Sequence, residues 1–299
     1  MKVLFVTGFY EYNFGGAELV MRTLRRSLED RGHHIDVLCL EGGNQPQPGN
    51  VWRIPPPGFL RHQPQLLKRA IIFLNNSFLD RFFLRRIERL PLPLSSYDLV
   101  HCHDIHGVNI ARHLDKQNRI KLGLTAQDNV PREFAAGALN PLLAALLRAG
   151  LRRRDKSLQP CLRQFDWITT PSQHVSRRIQ EFLTPAVPPV FTIYSPHPGG
   201  RPSQPESSAK RAEPKLLFMG RLSHEKGIDL LLEALAGFDR SFQLTILGLD
   251  GPLNQSVATA AKRNSRIRLH PPVPHEEIPS ILLQHDVVCC PSLWNDPLP

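Results

Sequence analysis

The sequence predicts an α/β protein made of two Rossmann-like domains, and three observations carry that prediction. Short apolar runs of strand length alternate with amphipathic helical stretches along the whole chain, the pattern of parallel sheets covered on both faces. The stretch 196–213 collects Pro196, Pro198, Gly199, Gly200, Pro202, Ser203, Pro205, Ser207 and Ser208, and is a linker by composition. A length of 299 residues accommodates two domains of ordinary size, each with its own core. The expected division is a first domain over 1–195, a linker over 196–213 and a second domain over 214–299.

Strands are expected in the first domain at 3–7, 35–40, 98–102, 121–125, 167–170 and 190–194. In the second they are expected at 216–219, 244–247, 267–269 and 287–290, where the apolar runs have the length of buried parallel strands. The opening run from Met1 to Thr7 is too short for a signal peptide and reads as the first strand. It is followed by a helix with Val20, Met21, Leu24 and Leu28 at helical spacing. A matching helix carries Ile228, Leu231, Leu232 and Leu235 after the strand at 216–219. Ser172 stands where it would cap a helix following the fifth strand.

Composition bounds the class. A hydrophobic share of 41% and a charged share of 21% describe a soluble globular chain. No apolar run reaches the roughly eighteen residues a membrane span needs. The five cysteines, Cys39, Cys102, Cys161, Cys289 and Cys290, have no zinc spacing, and a reducing cytoplasm is their natural setting.

The net charge of +10 is unevenly placed. Residues 1–195 hold 26 Lys and Arg against 16 Asp and Glu, whereas residues 196–299 hold 11 of each. The excess suggests an anionic surface as partner for the first half. Two basic stretches stand out, 61–90 and 147–158. The first places Leu67, Ile71, Leu74, Phe78 and Phe82 on one helical stripe; the second carries Arg148, Arg152, Arg153, Arg154 and Lys156. Such helices suit an anionic membrane face, and a helix packed on the sheet with a solvated basic side is the plainer alternative. No nucleic-acid module frames them, so nucleic acid is not expected.

Three loops carry candidate chemistry. Arg221 and Lys226 fall between the end of a strand and the start of a helix, where open α/β sheets bind ligands. Helix N–H groups flanked by two cations point to phosphate, and an ordinary loop with solvated cations is the alternative. The loop is not a P-loop, since no Gly-Lys-Ser/Thr closes it. After the first strand, Gly15 and Gly16 would let a ligand approach the backbone closely, or simply form a turn. At the third strand, His101 and His103 point to one face by the period of two, either toward a ligand or into the core. No third ligand accompanies them, so no metal is expected.

The string Gly220-Arg221-Leu222-Ser223-His224-Glu225-Lys226-Gly227-Ile228-Asp229 resembles the donor-binding motif of the retaining GT-B glycosyltransferases called group 1 or family 4. The resemblance implies two Rossmann-like domains facing a cleft, with Arg221 and Lys226 holding the diphosphate of a nucleotide sugar. It places Gly15 and Gly16 against donor phosphate or acceptor, and His103, Gln127 and Asp128 beside the sugar as the catalytic group. Residues 245–252 resemble the strand and Gly-x-Gly-Pro turn that bring Gly248 to the donor, and 270–278 the loop that brings Val273 to the nucleotide base. Asp296 falls at the first acid of the family's paired-acid motif, and the second domain is expected to be incomplete, with roughly the last quarter of a full member missing.

The chain departs from the family at Gln127, where a histidine usually stands. Glutamine can bond a sugar hydroxyl but cannot titrate. The implied function is transfer of a hexose from a nucleotide diphosphate sugar to the hydroxyl of a glycan or lipid-linked acceptor, with retention, without a cofactor or metal. A non-catalytic sugar-nucleotide- or membrane-binding relative is the alternative. The expected location is the cytoplasm, peripheral at the inner membrane face.

Overall fold

The computed structural model describes residues 1–8, 16–39, 50–54, 83–90, 92–105, 107–118, 120–127, 141–195, 213–249, 251–274 and 277–293. The chain separates into two compact units, Met1–Pro198 and Gly199–Pro297. The expected linker over 196–213 lies outside the described residues except for Glu213.

Unit 1 is built on a seven-stranded sheet whose described pairings are all parallel, in the order β3-β2-β1-β4-β5-β6-β7. The strands are β1 Lys2–Thr7, β2 His34–Cys39, β3 Val51–Arg53, β4 Leu99–Cys102, β5 Lys121–Thr125, β6 Trp167–Thr170 and β7 Val190–Thr192. Helix α1, Gly16–Glu29, joins β1 to β2. Helices α2, Val108–Asn118, α3, Pro141–Leu162, and α4, Gln173–Leu183, join the strands from β4 to β7. The order in which strands are added reverses between these two sets, so right-handed crossovers place α1 on one face and α2 to α4 on the other. Two separate cores follow. Val3, Phe5, Met21, Ile35 and Val37 fill the α1 face. Leu4, Val6, Val100, Leu122, Leu124 and Ile168 pack the other face with Leu114, Leu158 and Ile179. Ser172 caps α4, its hydroxyl accepting from the Val175 N–H at 3.4 Å.

Unit 2 holds a four-stranded parallel sheet in the order β10-β9-β8-β11. The strands are β8 Lys215–Arg221, β9 Gln243–Leu249, β10 Ile267–His270 and β11 Val287–Cys289. Its helices are α5 Ile228–Ala236, α6 Asn254–Arg263 and α7 Ile278–Leu283, around a core of Phe218, Ile228, Phe242, Leu244, Ile246 and Val257.

Several expectations are corrected. The strand β3 was not expected, being only three residues with an arginine at its end. The strand at 216–219 runs on through Gly220 and Arg221, because β9 pairs with it to Leu249. The run 287–290 is not a buried strand: β11 pairs with β8 alone among the described residues, leaving Val287 48% and Val288 43% exposed. Of the basic stretch 61–90, residues 61–82 lie outside the described residues. The described remainder packs inward through Phe83 and Ile87 on the α2 face, as in the plainer alternative. In α3, Arg148, Arg152, Arg153 and Lys156 are exposed, but Arg154 is buried against Asp155 at 2.9 Å. No helix among the described residues is long and apolar enough to cross a membrane.

Candidate functional site

In unit 2 the candidate residues gather after β8. Register pairs Gly220 with Gly248 and Arg221 with Leu249, so Arg221 is the strand's last residue rather than part of the turn. Leu222 and Ser223 then turn inward at 4% and 2% exposure, and His224–Lys226 form one turn of 3-10 helix. Gly227 follows in the left-handed region, φ 68° and ψ 22°, and opens α5. A Cβ on Gly227 would lie 2.0 Å from the Pro291 carbonyl oxygen, so only glycine lets this turn rest on the segment after β11. That contact is fastened by the Leu293 N–H, which donates to the Glu225 carbonyl at 3.0 Å.

Both cations stand near the strand end. The Arg221 side chain is 51% exposed and donates through Nη1 to Glu225 Oε1 at 3.0 Å. The Lys226 stem crosses Gly220, where a Cβ would meet its Cγ at 4.0 Å. His224 hydrogen-bonds Asp229 in the first turn of α5. Burial works to raise the Asp229 carboxyl, but the His224 bond and the backbone N–H groups of Leu230 and Asp229 outweigh it and hold it below the usual carboxylate range.

Gly248 plays a packing role that the sequence did not show. A Cβ there would meet the Leu222 side chain at 2.6 Å, and one on Gly251 would meet the Leu222 carbonyl oxygen at 2.2 Å. The two glycines thus wrap Leu222 and fix the path of the turn that starts at Arg221. Beside them opens a groove of about 430 Å³ at the ends of β9 and β10, lined by Leu222, Gly248, Asn254, Ala258, Leu269, His270, Pro271 and Pro272. Val273 is the next residue along, partly buried and outside that lining. A larger groove of about 510 Å³ follows α6 from Gln255 to Arg263 and touches none of these residues.

In unit 1 Gln127 follows the end of β5 and meets the start of α1 beside Gly16, and His103 follows the end of β4. Gly16 begins α1, and a Cβ on it would meet nothing within 4 Å among the described residues, so none of their packing contacts requires glycine there. Gln127 is partly exposed, and its amide reaches the Ala17 carbonyl at 3.5 Å, the outer limit of a hydrogen bond.

His103 takes the core placement of the two the strand period allows, rather than the place beside the sugar that the resemblance implies. Its ring is 2% exposed, edge-on to Phe5 with centroids 4.4 Å apart and 4.9 Å from the ring of His101. Neither ring nitrogen has a hydrogen-bond partner among the described residues. His101 is also buried and shares a hydrogen bond with Thr125 Oγ1 at 2.8 Å, over Gly123, where a Cβ would lie 2.5 Å from the imidazole. Burial pushes His101 down to about 4, and burial followed by the neighbouring His101 holds His103 well below the usual histidine range. Both rings are therefore neutral near pH 7. Gly15, Asp128 and Asp296 lie outside the described residues.

Two residues escaped the sequence reading. Asp104 accepts from Thr7 Oγ1 at 2.9 Å and the Gly8 N–H at 2.6 Å with one oxygen, and from the Gly107 N–H at 3.2 Å with the other. It ties the end of β1 to the start of α2; an acid two residues beyond the strand that ends at Cys102 was the available signal. Glu225, the partner of Arg221, was visible in the motif but not as a partner. Among the described residues no group of three His, Cys, Asp or Glu is placed to hold a metal ion.

Comparison with known proteins identifies the family and the fold. The model described as Glycosyltransferase Family 4 matches residues 14–205, and that described as Glycosyl transferases group 1 matches residues 201–299. No curated protein matched the sequence. Among solved structures, a sucrose-phosphate synthase from Thermosynechococcus elongatus superposes with a TM-score of 0.69 at 16% identity, covering 100% of this chain and 77% of that one. Alr3699/HepE of Anabaena in complex with UDP-glucose gives 0.64 at 17%, covering 99% and 75%. A lipopolysaccharide outer core galactosyltransferase, WaaB, gives 0.63 at 15%, covering 100% and 76%. With both halves matched and the fold shared, the chain belongs to Glycosyltransferase Family 4 and is a group 1 glycosyltransferase of GT-B fold.

Proposed function

We propose that the chain transfers a hexose from a nucleotide diphosphate sugar to the hydroxyl of a glycan or lipid-linked acceptor, with retention of anomeric configuration. The observation that carries this reading is the pair Arg221 and Lys226, one ending β8 and the other in the turn that opens α5. Two cations at the carboxyl end of a parallel sheet neutralise the charge that develops on a departing diphosphate, without the reorganisation water would need. Solved neighbours support a nucleotide-sugar donor: Alr3699/HepE is held with UDP-glucose, and a starch synthase of Arabidopsis with ADP and acarbose.

The remaining roles belong to the same proposal. Gly248 shapes the donor turn through Leu222, and the groove beside Pro271, Pro272 and Val273 takes the base. By the family resemblance Gly15, Gly16, Gln127 and Asp128 would serve the sugar and acceptor and Asp296 the donor; no metal is needed, and the leaving phosphate takes the acceptor's proton. His103 acts from beneath, a neutral ring that shapes the floor of the site. The test is calorimetric titration of the full chain with nucleotide sugars. Arg221→Ala combined with Lys226→Ala should abolish binding, and unchanged affinity sinks the reading.

A second reading is a sugar-nucleotide-binding relative without catalysis. It is favoured by Gln127 at the histidine position together with the burial of His103, which leaves no imidazole of that group at the surface. Donor turnover under conditions where the donor binds excludes it. For location, we propose peripheral attachment at the cytoplasmic face of a membrane through Arg148, Arg152, Arg153 and Lys156. The four are exposed on α3, whose sole acid, Asp155, is buried against Arg154. Equal sedimentation with neutral and anionic vesicles would refute it.

A further inference from the structure

Arg221 reaches solvent on a long side chain, and such a chain binds an anion well only if its rotamers are restricted beforehand. The structure supplies the restriction. Glu225 Oε1 accepts from Nη1 of Arg221 at 3.0 Å, and this is the sole guanidinium nitrogen engaged among the described residues. Glu225 is itself well anchored. Its carbonyl accepts from the Leu293 N–H at 3.0 Å, and the Lys226 N–H beside it donates to the Ser223 carbonyl at 3.1 Å. Two residues on, Gly227 rests against Pro291. The carboxylate thus projects from a fixed turn onto one nitrogen of a planar fork and leaves Nε and Nη2 for a phosphate.

We propose that Glu225 is a positioning residue for the donor diphosphate, acting through the guanidinium of Arg221. The inference rests on the reading of Arg221 as a diphosphate ligand. Glu225 has two opposed effects: its hydrogen bond orders the arginine, and its negative charge repels the phosphates. The carboxamide of glutamine keeps the first and removes the second, whereas alanine removes both. The ratio between those two variants therefore isolates positioning from charge.

The experiment is calorimetric titration of the full chain, of Glu225→Gln, of Glu225→Ala and of Arg221→Ala with UDP, GDP and ADP, carrying forward the nucleotide that binds tightest. Glu225→Gln should bind as tightly as the unmodified chain or a few-fold tighter. Glu225→Ala should bind about threefold to tenfold more weakly than Glu225→Gln, the range set by freeing one rotamer-rich side chain. A merely structural ion pair would move the melting temperatures of the two variants and leave their dissociation constants equal; that result overturns the proposal. If Arg221→Ala weakens binding while the two Glu225 variants bind alike, positioning fails and the donor reading stands. If Arg221→Ala binds as the unmodified chain does, or if the unmodified chain binds none of the three nucleotides, the donor reading fails and this inference with it.

Discussion

Replacing Gly227 by alanine probes the turn on which the donor site depends, and its effect can be worked from the structure. The φ of 68° places an alanine in the left-handed region, a strain of about 1–2 kcal/mol. The added Cβ would lie 2.0 Å from the Pro291 oxygen, 2.8 Å from its carbonyl carbon and 3.2 Å from its Cβ. Two of these are backbone atoms, so the strand-end segment must move, a repacking of the kind that costs about 1–3 kcal/mol. The lost flexibility of the unfolded chain returns only about 0.4–1 kcal/mol. A net loss of about 3 kcal/mol results, which for a unit near 100 residues lowers the melting temperature by more than about 10 °C.

Two other glycines separate the contributions when melted by differential scanning calorimetry. Gly32 has φ 81° with nothing among the described residues within 4 Å of a Cβ, so Gly32→Ala reports strain alone, about 1 kcal/mol. Gly237 has φ −92° and, among the described residues, equally open space, so Gly237→Ala should be neutral or slightly stabilising. Should Gly227→Ala melt within about 2 °C of Gly237→Ala, the close approach to Pro291 is not a determinant of this turn, and the reasoning fails.

Three further outcomes are expected. His101 and His103 are buried and neutral, whereas in the unfolded chain they titrate near 6.5, so the unfolded state binds protons that the folded state refuses. Stability is complete above about pH 6.5 and falls by up to about 1.4 kcal/mol per pH unit for each histidine as pH drops toward 4, which urea midpoints at descending pH would show and which His101→Asn should flatten. Gly123→Ala puts a Cβ 2.5 Å from His101 Nδ1 and 2.6 Å from the Trp167 ring; a loss of about 1–3 kcal/mol is expected, with a shift in tryptophan emission as the indole is displaced. Asp104→Ala leaves Thr7, Gly8 and Gly107 without their common acceptor, and should lower stability by about 2–3 kcal/mol in denaturant unfolding, more than Asp104→Asn, which keeps part of the set.

What the sequence disclosed was mostly local. Runs such as Val3 to Thr7 announced buried strands because both faces of a parallel sheet are covered. The strand β3 was hidden, since Val51-Trp52-Arg53 is too short to show any period and exists by pairing with Val37 to Cys39. Arg154 was grouped with the exposed cations by composition. Helical spacing shows otherwise, because Leu151, Arg154 and Leu158 share one stripe and all three are buried. For His103 the period of two gave the face of the strand but not the depth, which is set by Phe5 on the neighbouring strand.

The least legible part of the site is what holds its loops, because those partners are adjacent only through sheet topology. In unit 1 the strand order reverses between β1 and β4, and in unit 2 between β8 and β11. Helices leave in opposite directions at such a point and open a crevice where ligands bind. In both units a cross-strand fastening joins the two strand ends at that point. Asp104, after β4, holds Thr7 and Gly8 at the end of β1. Leu293 and Pro291, after β11, hold Glu225 and Gly227 beyond the end of β8. The two fastenings use different chemistry, a carboxylate in one and main-chain contacts in the other, so no shared motif could have marked them. They serve one physical end: a loop at a switch point lacks a flanking crossover on one side, and the neighbouring strand's end must supply the support that the missing helix would have given. The candidate residues therefore stand on short, doubly anchored turns, and damage to an anchor should appear in binding as well as in stability.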